Sequence, residues 1–143
     1  MRAIPGSCHC GAVQVEFATA KDLAGFHPRV CDCTFCRRHG ATWLSDAEGR
    51  LRIGEQATGM LRDYRQGSET ARFLLCARCG VCVAVIFEEG ARSFAAVNAN
   101  CLGSGSDFGE AQPASPQMLS DEEKIARWKA LWIADVVVSR AES

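Results

Sequence analysis

The chain has no excess of charge of either sign: 16 lysines and arginines stand against 17 aspartates and glutamates, a formal net charge of −1. Without a basic surplus there is no electrostatic footprint for nucleic acid or an anionic membrane, so neither partner is expected. No apolar run approaches the roughly 18 residues that a membrane span requires. The opening residues, MRAIPGSCHC, hold a single arginine and no apolar segment. No secretory signal is therefore expected, and a cytoplasmic location follows, where thiols stay reduced. No internal repeat divides the 143 residues, and one domain is expected over 1–143. A chain of that size buries roughly 68% of its unfolded surface without covalent help.

What the sequence has in quantity is cysteine. There are nine, eight of them gathered in three short runs, GSCHCGAV, CDCTFCRRHG and LLCARCGVC, with Cys101 alone outside them. An odd number in a reducing compartment does not favour a closed disulfide framework. Metal binding is the better explanation.

Around these runs the pattern is that of short strands. AVQVEFAT (12–19) alternates, with Val13, Val15 and Phe17 on one face. ARFLLCA (71–77), CVAVIFEE (82–89) and SFAAVNA (93–99) are rich in β-branched and aromatic residues. ATWLSDAEGRLRIG and GMLRDYRQG suggest shorter strands between turns, which makes the core mainly β. The Gly/Ser/Pro-rich stretch 103–117 predicts a surface loop. The kinase-like triplet Asp107-Phe108-Gly109 inside it has no companion element and is set aside. A C-terminal helix is expected over about 120–133, capped by Ser120 with Glu123 completing a capping box. Ile125, Trp128, Leu131 and Trp132 share one face of it, and core packing is expected of them rather than ligand contact.

Zinc takes about four ligands in a tetrahedron, with sulfur near 2.3 Å. Cys8-His9-Cys10-Gly11 offers one half-site and Cys76-Ala77-Arg78-Cys79-Gly80 another. Both lie at the edge of an expected strand, so sheet pairing brings them together as a closed structural site. His9, between two ligands, is expected at the surface. Cys31, Cys33 and Cys36 supply three thiolates from one loop and no obvious fourth. Three protein ligands with an open position are the catalytic arrangement. The alternative is closure by His39, Cys82 or Cys101. Cys82 is expected to be a packing residue, and Cys101 to be exposed or to line this second site.

GSCHCGAV, CDCTFCRRHGA and CARCG together resemble the glutathione-dependent formaldehyde-activating enzyme family, which also includes centromere protein V. The likeness covers about residues 5–100 and keeps the family's motif order. It implies an Mss4-like β-tent of small antiparallel sheets held by zinc, with Cys8, Cys10, Cys76 and Cys79 on a structural zinc. It also implies a second, catalytic zinc on Cys31, Cys33 and Cys36. Cys82, Cys101 and the C-terminal helix depart from the family pattern.

The chemistry expected from the resemblance is carbon–sulfur lyase chemistry on thiol/aldehyde adducts such as S-hydroxymethylglutathione. A small thiol and an aldehyde are then the partners. Arg37, Arg38, Arg72 and Arg78, close to the motifs, are candidates to meet glutathione's carboxylates. Two rivals remain: a zinc-stabilised protein-binding module of the Mss4-like type, and a thiol-rich redox or metal sensor.

Overall fold

A computed structural model describes residues 1–65, 70–103 and 107–141 of the chain. Among these residues the fold is built from two sheets. In the smaller, β1 (Arg2–Ser7), β2 (Val13–Thr19) and β5 (Arg50–Glu55) run antiparallel, and β11 (Asp135–Ser139) adds parallel to β5. The larger sheet has seven strands. It begins with the short strands β10 (Gln112–Ala114), β3 (Arg29–Cys31) and β4 (Thr42–Leu44). It continues through β9 (Arg92–Asn98), β8 (Cys82–Glu89), β7 (Arg72–Cys76) and β6 (Leu61–Arg65).

The expected alternation of β2 is present: Val13, Val15 and Phe17 are buried while Gln14 and Glu16 are exposed. These residues meet Leu51 and Ile53 of β5 and Leu74, Val83 and Val97 of the larger sheet in one apolar core. The larger sheet also buries part of its opposite face. There Phe73, Cys82, Val85 and Ala96 form a second, smaller cluster with Cys31 and Cys36. Burial on two faces explains why β8 is an unbroken apolar run rather than an alternating one.

The segment ATWLSDAEGRLRIG is two strands, β4 and β5, separated by a turn built on Asp46. Its carboxylate accepts from the Thr19 hydroxyl at 2.6 Å, the Lys21 ammonium at 2.9 Å and the Glu48 N–H at 3.0 Å. Burial pushes the Asp46 carboxyl up, but these donors outweigh it and hold it below the ordinary 3.8. Asp46→Ala would strand the fully buried Thr19 hydroxyl. It should cost about 1–3 kcal/mol in denaturant unfolding. A depressed carboxylate contributes stability above its unfolded value and loses it as pH falls through the lower folded one. The gap between wild type and variant should therefore close on acidification below about 3.8.

The C-terminal helix α2 spans Asp121–Leu131 and has both hydrogen bonds of its capping box, Glu123 N–H to Ser120 Oγ and Ser120 N–H to Glu123 Oε1. The packing expected of its apolar face is only partly present. No residue of α2 is fully buried, and Leu131 is 44% exposed. Trp128 stacks on Trp132 at 4.8 Å and leans on Phe87 at 5.5 Å. Of this face, Trp128 reaches Phe87 of β8, Ile125 is half-buried and Leu131 is left at the surface. Ile133, just after it, is buried and exchanges both backbone hydrogen bonds with Ala95.

The expected loop 103–117 contains β10 and a 3-10 turn, Pro116–Met118; its residues 104–106 lie outside the described ones. The strand expected at GMLRDYRQG ends at Arg65, with 66–67 likewise outside. No described helix is long and apolar enough to cross a membrane.

Candidate metal centres and the cavity beside them

Cys8, Cys10, Cys76 and Cys79 converge, with all four sulfurs within 4.8 Å of one another. Cys8 and Cys10 follow β1 in the turn to β2, while Cys76 ends β7 and Cys79 lies in the turn to β8. Gly11 (φ 84°) and Gly80 (φ 81°) occupy the left-handed region that each turn requires. Backbone N–H groups point at the sulfurs: Val13 donates to Cys8 at 3.3 Å, and Arg78 to Cys76 at 3.3 Å. The spacing fits a tetrahedral ion. Sulfurs about 2.3 Å from a common centre lie about 3.8 Å apart. Here Cys8 and Cys10 are 3.7 Å apart, and Cys10 and Cys76 3.6 Å. His9 is exposed beside them, as expected.

The thiols of this cluster are electrostatically split. Burial lifts Cys8 to about 11, whereas Cys79 is held down to about 6. Burial opposes that depression, but the amides of Val81 and Cys10 and the thiols of Cys76 and Cys8 outweigh it. The four sulfurs thus share protons that a cation would displace.

The second cluster, Cys31, Cys33 and Cys36, also has its sulfurs within 4.8 Å of one another. Cys31 ends β3, and Cys33 caps α1 (Thr34–His39) by accepting the Cys36 N–H at 3.4 Å. Gly40 closes that short helix at φ 73°. The Trp43 indole N–H donates to Cys36 Sγ at 3.4 Å. A hydrogen bond from Cys36 holds the Cys31 thiol down to about 6 against burial, and the same bond drives Cys36 strongly upward. Beside them, Asp32 Oδ2 accepts the Ser115 hydroxyl at 2.6 Å, while Oδ1 is buried with no hydrogen-bond partner among the described residues. A buried carboxylate oxygen in that state is costly unless positive charge stands near. The triad therefore fits a cation on both its donor atoms and its surroundings.

None of the residues considered as a fourth ligand joins the triad. His39 Nε2 accepts the Cys82 N–H at 2.8 Å and its ring stacks on Phe35 at 5.1 Å. Cys82 is a packing residue, fully buried, its thiol pushed up to about 12 by burial. Cys101 departs from expectation: it is half-buried against the main core, not on the cavity, and burial pushes its thiol up to about 11. On metal-loaded protein, Cys101 should alkylate more than about tenfold slower than a free thiol. Mass spectrometry of a timed labelling reaction would check this.

A cavity of about 990 Å³ opens over the triad, with Cys31, Cys33 and Cys36 all in its lining. Trp43, Phe73, Val85 and Ala96 continue that lining from the larger sheet. Trp128 and Trp132 close one side from the C-terminal segment. Its cations are Arg29, Lys124 and Arg127, with Lys21 already bound to Asp46. None of the four arginines named as candidates from the sequence is in this lining. Arg37 and Arg38 are exposed outside the lining, Arg72 pairs with Asp63 and Glu88, and Arg78 sits at the first cluster. Arg29 was legible from strand spacing, two residues before Cys31. Lys124 and Arg127 fall within a helical turn of Trp128, on α2.

The family model described as glutathione-dependent formaldehyde-activating enzyme matches residues 3–120. A crystal structure of a Rhodobacter sphaeroides protein, solved as a structural-genomics target, is 31% identical with a TM-score of 0.58. That similarity covers 77% of this chain and 99% of the other. The family match ends immediately before α2.

Proposed function

This chain belongs to the glutathione-dependent formaldehyde-activating enzyme family and has its Mss4-like fold, and on that premise we propose a zinc-dependent carbon–sulfur lyase acting on thiol/aldehyde adducts. The observation that carries the reading is the triad of Cys31, Cys33 and Cys36, a three-thiolate set opening on a cavity. Zinc held there would supply Lewis-acid chemistry, lowering a thiol's pKa from its usual value of about 8.5 and polarising a carbonyl. The protein's own residues do the rest. Asp32 adds negative charge behind the ligand loop, and its bond to Ser115 ties that loop to the chain after β10. The Trp43 indole holds Cys36 in place. Apolar walls limit water around the reacting carbon. In the synthetic direction a sulfur–carbon bond forms as the carbonyl π bond breaks, and the thiol proton ends on the new hydroxyl. The lyase direction reverses each change. Cys8, Cys10, Cys76 and Cys79 serve a structural zinc in this reading.

The test is metal analysis of the pure protein together with glutathione and formaldehyde turnover. Two zinc ions per chain and catalysed hemithioacetal exchange are expected. A triad that binds metal yet leaves exchange at its uncatalysed rate would favour the protein-binding module instead.

A further inference from the structure

The cavity is larger and more aromatic than a one-carbon aldehyde needs. Formaldehyde brings no side chain, yet next to the three sulfurs lie Trp43, Phe73 and Trp132, packed with Val85 and Ala96. Trp132 continues into the stack with Trp128, so the aromatic surface runs outward from the thiols along α2. Cationic side chains border the same cavity: Arg29 on β3 and Lys124 and Arg127 on α2. Among the described residues the one carboxylate in the lining is Asp46, already satisfied by Thr19, Lys21 and the Glu48 amide. An anionic ligand with an apolar body matches this distribution.

The part that supplies most of this chemistry is also the part outside the family match. Residues 3–120 match, whereas Lys124, Arg127, Trp128 and Trp132 all follow. Their position is nonetheless secured by the fold. Ile133 is locked to Ala95, and β11 pairs over its whole length with β5, from Asp135 against Arg50 to Ser139 against Gly54.

We propose that α2 is a specificity wall, and that the preferred adduct joins a carboxylate-bearing thiol to an aldehyde carrying an aryl or comparably bulky apolar group. This rests on the lyase reading above. Arg29, Lys124 and Arg127 meet the carboxylates, and Trp128 and Trp132 take the aldehyde's apolar group. The reaction keeps the same balance: one sulfur–carbon bond is made, the carbonyl π bond is lost, the thiol proton moves to the hydroxyl, and no oxidant or reductant takes part.

All three tryptophans of the chain line this cavity, so their emission reports on occupancy without any turnover. The experiment titrates metal-loaded protein with two unreactive thioethers, S-methylglutathione and S-benzylglutathione. The benzyl compound should bind about tenfold tighter, the scale of one good aromatic contact plus its buried area. Trp128→Leu should reduce that preference to about twofold or threefold. Arg127→Gln, at an exposed position where folding is secure, should weaken both compounds alike by several-fold. Equal affinities for the two thioethers, or a benzyl preference unchanged in Trp128→Leu, would overturn the proposal. Turnover assays with formaldehyde and benzaldehyde separate it from the reading it rests on. Turnover that favours formaldehyde leaves the lyase standing and removes the specificity wall. A benzyl preference without turnover of either aldehyde leaves the wall and removes the lyase.

Discussion

Cys79→Ala should lose the first metal and, with it, the folded state at room temperature. A structural zinc contributes on the order of 10 kcal/mol of folding free energy, while a whole domain of this kind is stable by only about 5–15 kcal/mol. The four sulfurs join the turn between β1 and β2 to the turn between β7 and β8, so an ion held by them would clamp the two sheets together. With Cys79 gone, Cys8, Cys10 and Cys76 cannot complete a tetrahedron. The Cys79 thiol also sits at about 6, so it is the group most readily ionised for that ion, a property alanine cannot replace. Metal content by atomic emission and melting by circular dichroism would decide it. A Cys79→Ala protein with one unchanged metal and an unchanged melting temperature would show that the pairing is wrong.

At the second site the effect should fall on turnover, with the fold largely spared. Cys33→Ala removes one of three sulfurs and the cap that accepts the Cys36 N–H at 3.4 Å. The cap should cost about 1 kcal/mol of stability. Thiol-dependent turnover should fall by more than about 100-fold, beyond the 10–100-fold typical of losing an outer partner of a metal ligand. Because three ligands hold an ion less firmly than four, a graded chelator titration should empty this site before the other. Turnover retained in Cys33→Ala, or a triad metal that outlasts the first, would sink the assignment.

The metal clusters were legible in the sequence because cysteine spacing is a local property with a strict geometric reading. Cys-x-Cys and Cys-x-x-Cys beside glycines turn paired sulfurs toward one point, as a shared ion requires. The strands at 12–19, 82–89 and 93–99 were legible for a similar reason, since alternation or continuous apolarity follows directly from how many faces are buried. What escaped was set by distant partners. β11 looks like the tail of a helix until its parallel pairing with β5 is known, and β10 is three residues inside a Gly/Ser/Pro-rich stretch. The second setting of the α2 face, beside a cavity as well as against the sheet, escaped for the same cause. Trp128 and Trp132 at helical spacing fit a core stripe and a cavity wall equally, and only the placement of α2 beside the triad separates the two. The cavity's cations escaped likewise, because Lys124 and Arg127 lie far from the triad in sequence and only the fold brings them to the same lining.

The separation of the two halves of the first cluster matters while the chain is being made. Cys10 and Cys76 are 66 residues apart, so at about 5–20 residues per second the earlier half-site waits roughly 3 to 13 s for the later one to emerge. Cys31, Cys33 and Cys36 are complete within six residues and leave the ribosome during that wait. A newly made chain therefore completes its three-sulfur site first. The four-sulfur site can close only after β3, β4, β6 and β7 of the larger sheet have been made. If the four-sulfur site binds the more tightly, as predicted above, loading would run opposite to affinity, and scarce metal would first meet the proposed reactive centre.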